Sequence, residues 1–147
     1  MKFIVDTNIA FSAVLNTESK IGDLLMNSHG IFEFHSCDTL RSKLAKHRSK
    51  LLELSGMSEE QLDQSIYHVT SQIVFTNEAL IPFEFWQKAA NLVRDTDMND
   101  IAFLALWGLL GGKLWAGDKE LLKGLAKKGF TDFITTEELV KLRALLE

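Results

Sequence analysis

KFIVDTN, from Lys2 to Asn8, is a short apolar run that stops on three polar residues. Phe3, Ile4 and Val5 show no alternation, the pattern of a strand covered on both faces. Such strands belong to parallel sheets flanked by helices, where ligands bind beyond the carboxyl ends of the strands. Asp6, Thr7 and Asn8 therefore stand where a parallel sheet carries its chemistry. KLWAGDKELL repeats the order, with an apolar strand over 113–116, then Gly117, Asp118 and a helix.

Working outward, four runs read as strands: 3–5, 31–35, 113–116 and 132–134. Between them lie helical patterns. Leu40, Leu44, Leu51 and Leu54 recur at helical spacing, as do Leu62, Ile66, Val69 and Ile73. Ser58 with Gln61 forms a capping box for the second of these. Further helices are expected over 85–94, 99–110, 119–127 and 137–145, and Gly111-Gly112 ends one of them and admits the next strand. The alternation predicts an α/β fold, a central parallel sheet with helices on both faces. The long helical interval before residue 113 fits a helical arm or extra layer. Pro82 is the only proline, and no linker, repeat or low-complexity tract divides residues 1–147, so one domain is expected.

The chain has 147 residues, 46% hydrophobic and 24% charged, with a net charge of −4. That charge gives no overall attraction to nucleic acid, so any such binding needs a local patch. The lone Cys37 excludes an internal disulfide, and no Cys/His spacing fits zinc. The first residues lack the basic and long apolar regions of a signal peptide. The most apolar stretch, 101–110, is too short to cross a bilayer. A cytoplasmic protein without a membrane partner is expected.

RDTDMNDIAFLALWGLL starts a helix with Asp95, Asp97 and Asp100 ahead of its apolar body. Asp97 and Asp100 are three apart and share one side of a first turn. If strands 3–5 and 113–116 are neighbours, Asp6 and Asp118 emerge side by side. The helix that leads into 113–116 runs antiparallel to it, which brings Asp100 to the same edge. Taken singly, these residues are good helix caps. Taken together, converging carboxylates repel unless a cation or protons compensate them. Hard oxygen ligands select Mg²⁺ or Mn²⁺. Such an ion polarises a phosphodiester and acidifies a bound water.

Three segments, FIVDTNIAFSAVL, DTDMNDIAFLALWGLLGGKLWAGDKELLKGL and FTDFITTEEL, resemble a PIN domain, in the right order over nearly the whole chain. The resemblance implies a Rossmann-like α/β/α sandwich and Mg²⁺- or Mn²⁺-dependent ribonuclease activity. Many relatives are toxins of toxin–antitoxin pairs, which makes RNA, an antitoxin protein and a second copy of the chain the partners to test. By matching motif, Asp6, Asp100 and Asp118 take the metal-binding positions and Asp97 an accessory one. Asn8 matches the polar residue after the first acid, either bonded to Asp6 or shaping an Asx turn. The family's further glutamate on the helix after the second strand is replaced here. The matching position is Ser42, followed by Lys43, and Asp38 comes one turn too early. Ala116 also stands where a hydroxyl residue is common. A weakened nuclease and an inactive module that binds RNA or a protein are the two functions to separate.

Arg41, Lys43, Lys46, His47, Arg48 and Lys50 form the densest basic run, which is either a solvated helix face or an RNA contact. Lys119 would flank the acidic edge. Phe83, Phe85 and Trp86 either line a partner groove or pack under a turn, and Trp107 and Trp115 read as core. Cys37 has no base assigned to it. Glycine fingerprints for nucleotides are absent, and Asn8 stands where a haloacid-dehalogenase-like phosphatase needs a second aspartate.

Overall fold

The computed structural model describes residues 1–94 and 101–147. The expected site residues Asp97 and Asp100 lie outside the described residues. Five strands form one sheet: β1 (Lys2–Val5), β2 (Glu33–Cys37), β3 (Ile73–Thr76), β4 (Lys113–Trp115) and β5 (Phe133–Ile134). Their order is β3-β2-β1-β4-β5, and every neighbouring pair is parallel. β1 is central, and Phe3, Ile4 and Val5 are all buried, as an unalternated apolar strand requires.

The helices are α1 (Thr7–Leu15), α2 (Lys20–Asn27), α3 (Asp38–Lys46), α4 (Arg48–Ser55), α5 (Glu59–Ser71), α6 (Phe83–Val93), α7 (Ile101–Leu110), α8 (Lys119–Lys127) and α9 (Thr136–Leu146). The arrangement is the expected α/β fold with a parallel sheet. Helix α1 packs against α2, α3, α4 and α5, while α7 packs against α6 and against β1, β2 and β4. Leu62 and Val69 of α5 are buried and its capping box is formed. The helix expected over 119–127 is α8.

The departures have local causes. β3 was not expected, because Ile73 follows Val69 at a helical interval. Helix α5 instead ends at Gln72, and the β-branched and aromatic residues Ile73, Val74, Phe75 and Thr76 extend as an edge strand. α1 has no polar face to betray it: Ile9, Ala10, Ala13 and Val14 are all buried. α3 and α4 are two helices, not one, broken at His47, whose ring meets Phe11. Leu40, Leu44 and Leu51 join the core, but Leu54 is exposed. β2 begins two residues later than expected, since Phe32 precedes the strand.

The turn from α7 to β4 positions the functional edge. Gly111 and Gly112 both have positive φ, 75° and 80°, and a Cβ on Gly112 would lie 2.4 Å from the Lys2 carbonyl oxygen. Glycine alone fits there. The carboxyl end of α7 therefore lies at the amino end of β4. A ten-residue helix rises about 15 Å, so Ile101, its first described residue, lies toward the carboxyl edge of the sheet.

Candidate metal and nucleic-acid edge

β1 and β4 pair in register, with Val5 opposite Trp115. Asp6 thus leaves the sheet level with Ala116, and Asp118 follows two residues later. Ser36 donates its hydroxyl to the Val5 carbonyl at 3.0 Å, which ties down the end of β1 where Asp6 begins. Asp6 is only 2% exposed. Its Oδ1 accepts the Ile9 N–H at 2.9 Å, making it the N-cap of α1. Asp118 is the N-cap of α8, its Oδ1 accepting the Glu120 and Leu121 N–H groups at 3.0 and 3.2 Å. The cap and the metal readings are therefore compatible: the cap aims each carboxylate, and the helix dipole favours negative charge there.

Next to Asp6, the Thr7 hydroxyl is buried and has no hydrogen-bond partner among the described residues. A buried polar atom without a partner is uncommon and calls for a ligand or water. Two hard carboxylate donors beside an unmet hydroxyl fit an oxygen-coordinated Mg²⁺ or Mn²⁺, which keeps several of its waters. Among the described residues, no three His, Cys, Asp or Glu side chains gather as a metal site. Asn8 is exposed in the first turn of α1.

On α3, Asp38 and Ser42 are exposed. Lys43 is half-buried, with Nζ 5.7 Å from the centre of the Phe103 ring. Arg41 turns elsewhere and lies 3.9 Å over the Phe75 ring. Lys46 and Lys119 are exposed. Within the basic run Lys46 and Lys50 are exposed, whereas Arg41 lies over Phe75, Lys43 over Phe103 and His47 against Phe11, and Arg48 pairs with Asp63.

Glu78 is a residue that local patterns did not single out. It sits in the 3-10 turn after β3, Glu78–Leu80. Its Oε1 accepts the Thr39 N–H at 2.7 Å and also the Thr39 hydroxyl. α3 begins at Cys37 without a cap bond from that side chain, so Glu78 caps it from 39 residues away. No local signal announces such a pairing. Burial first, and the Glu78 charge second, push the Cys37 thiol up to about 12. It stays protonated, which disposes of Cys37 as a nucleophile.

The aromatic residues divide. Trp115 is 0% exposed and its indole donates to Thr136. Trp107 is only partly buried, donating to the Gly112 carbonyl. Phe85 and Trp86 pack on the core, but Phe83 is 73% exposed. No described helix is long and apolar enough to cross a membrane.

No curated protein matches the chain. Solved structures do match the fold. One is VapBC2 from Rickettsia felis, bound to a DNA fragment from its promoter: TM-score 0.67, 12% identity, covering 92% of this chain and 97% of that one. Another is VapBC-1 from nontypeable Haemophilus influenzae: TM-score 0.66, 14% identity, covering 93% of this chain and 99% of that one. The PIN-domain family model matches residues 4–143. With a parallel sheet in the order β3-β2-β1-β4-β5 and aspartates following the adjacent strands β1 and β4, the chain belongs to the PIN-domain family.

Proposed function

We propose that the chain is a Mg²⁺- or Mn²⁺-dependent endoribonuclease that acts as the toxin of a toxin–antitoxin pair in the cytoplasm. What supports this reading is that Asp6 and Asp118 follow adjacent parallel strands and that each caps the helix after its strand. Asp100 is the third ligand and Asp97 an accessory acid. The bound ion supplies a polarised phosphate and an acidified water. The chain's own part is to hold the carboxylates in place through the caps and to keep the edge next to the core, where charge interactions are stronger than in water. The unmet Thr7 hydroxyl orients a water at that edge. The exposed Lys46 and Lys119 steer the RNA backbone toward it. The antitoxin partner is supported by the VapBC complexes among the similar structures, and a homodimer is the second assembly to test.

The test combines cleavage and metal binding. Wild type should cut a mixed single-stranded RNA with Mn²⁺ and stop on chelation. Mn²⁺ should raise the melting temperature by mass action, and Asp118→Asn should remove that rise. RNA cutting unaffected by chelation, or an equal Mn²⁺ shift in Asp118→Asn, would sink the reading. A second reading, an inactive module that binds RNA or protein, is favoured by one observation: α3 turns a lysine, not a carboxylate, toward α7. Metal binding without cleavage of any RNA would support it.

A further inference from the structure

Asp6 is held from more than one direction. Its Oδ1 accepts the Ile9 N–H at 2.9 Å, and its carbonyl accepts the Ala10 N–H at 3.2 Å. Both bonds come with any helix that an aspartate caps. Another hold comes from a different strand: the Ser36 hydroxyl donates to the Val5 carbonyl at 3.0 Å, across 31 positions of sequence. That carbonyl belongs to the same peptide unit as the Asp6 N–H. Asp6 is extended, with φ −85° and ψ 174°, and Thr7 is already the first residue of α1. The chain thus turns from strand to helix at one residue, and the plane of the peptide before it sets where the Asp6 side chain leaves the sheet. Asp6 follows the end of β1 directly, whereas Ala116 and Gly117 separate Asp118 from the end of β4. Fixing the strand end therefore acts on Asp6 in particular. Ser36 is 0% exposed, in a strand where Phe34 and Cys37 are buried too. Burying a hydroxyl costs about what its hydrogen bond returns, so serine gains the fold little over an apolar residue of its size.

We propose that Ser36 is the positioning residue of Asp6: through the Val5 carbonyl it fixes the direction in which the Asp6 carboxylate meets a divalent cation. The role rests on the metal-dependent reading above and gives that edge a support from β2. In it Ser36 contacts neither the ion nor the RNA. It acts as a hydrogen-bonding group behind a metal ligand does, holding the ligand in the one orientation that binds, and losing such a group commonly weakens metal binding by about tenfold or more.

Two readouts on the full chain test it, one of them without metal. Ser36→Ala removes the donor and leaves a small residue in the core, while Ser36→Thr keeps the hydroxyl. In metal-free protein, hydrogen exchange at the Ile9 amide, which donates to Asp6 Oδ1, should be faster in Ser36→Ala. The Gln61 amide, which donates to Ser58 at the start of α5, should keep its wild-type rate. By calorimetry, Ser36→Ala should bind Mn²⁺ roughly tenfold more weakly than wild type, and Ser36→Thr should stay near wild type in both measurements. Wild-type Mn²⁺ affinity in Ser36→Ala, or unchanged Ile9 exchange, would overturn the proposal and leave the bond as a clamp between strands. Equal acceleration at Ile9 and Gln61 would mean general destabilisation and overturn it as well. Faster exchange at Ile9 alone, in a chain whose wild type binds no Mn²⁺, would uphold the positioning of Asp6 and sink the metal-dependent reading instead.

Discussion

Helices α5 and α9 begin differently from α1 and α8, and the contrast bears on function. α5 and α9 start with reciprocal capping boxes, Ser58 with Gln61 and Thr135 with Glu138. In each box a hydroxyl takes one backbone N–H and the partner side chain returns to the cap backbone. α1 and α8 are each capped by an aspartate instead of a box. A neutral hydroxyl would cap either of them as well. Two carboxylates on the ends of adjacent strands instead add mutual repulsion, and burying Asp6 adds desolvation. The boxes do what stability alone asks. The aspartates carry a cost that a cap does not need, and the proposed cation is what would offset it.

Substitution can break that comparison. Asp6→Asn keeps a good cap, so stability should change by less than about 0.5 kcal/mol, while RNA cleavage should fall by roughly 10²–10³, the scale of removing one charged stabiliser of a reacting group. Ser58→Ala should do the reverse, with about 1 kcal/mol lost in urea unfolding and initial cleavage rates unchanged. Equal cleavage by wild type and Asp6→Asn would make the two kinds of cap equivalent and remove the reason for assigning the edge to catalysis.

A smaller effect sharpens the comparison from a third direction. Glu78 is also a carboxylate at the carboxyl edge, but its Oε1 is engaged by Thr39. It therefore behaves as a cap. Glu78→Ala should destabilise the protein by about 1–2 kcal/mol through an uncapped α3, with Mn²⁺ affinity unchanged. Because Glu78 helps to raise the Cys37 thiol, the variant should also react with a thiol reagent at lower pH than wild type, with burial still limiting the rate. Weaker Mn²⁺ binding in Glu78→Ala would place it among the ligands and blur the distinction.

What could be read from the sequence follows the same divide between local and distant causes. The ends of β1 and β4 were legible because unalternated apolar runs stopped on Asp6 and on Gly117-Asp118, and the two strands pair in parallel as neighbours. The Gly111-Gly112 turn and the Ser58 box were legible for a similar reason, since each is written within a few residues. β3 was hidden because Ile73 continues the helical period of Val69 across a boundary set by Gln72. The Glu78 cap was hidden because its partner Thr39 is 39 residues distant. The inward turn of Lys43 was hidden because Ser42 and Lys43 are adjacent on a helix, and only its packing against α7 shows which of them faces inward. A motif match read by spacing alone does not resolve a step of one residue, about 100° around the axis.

The smallest expected effect concerns a titratable group away from the edge. His35 lies in β2 with both ring nitrogens buried and without hydrogen-bond partners among the described residues. Glu33 Oε1 is 3.9 Å from Nε2, beyond hydrogen-bond reach, so it attracts a charged ring without satisfying a neutral one. Burial lowers the His35 pKa most, the Glu33 charge opposes that, and the Lys2 charge adds to the lowering. The folded chain therefore binds this proton less readily than the unfolded chain, whose histidine titrates near 6.5. Stability from this source is complete above that pH and is lost as pH falls through it toward the folded value. His35→Phe removes the titration and keeps an apolar ring in the core. In unfolding experiments from pH 7.5 down to pH 5.5, wild type should lose stability more steeply than His35→Phe, and above pH 7.5 the two curves should run parallel. This also separates the core from the edge: Mn²⁺ should not alter the His35 slope, because His35 pairs with Ile4 inside the sheet, short of the carboxyl edge where the ion is proposed. Parallel curves down to pH 5.5 would mean that His35 accepts its proton as readily folded as unfolded, and the neutral buried ring would have to be given up.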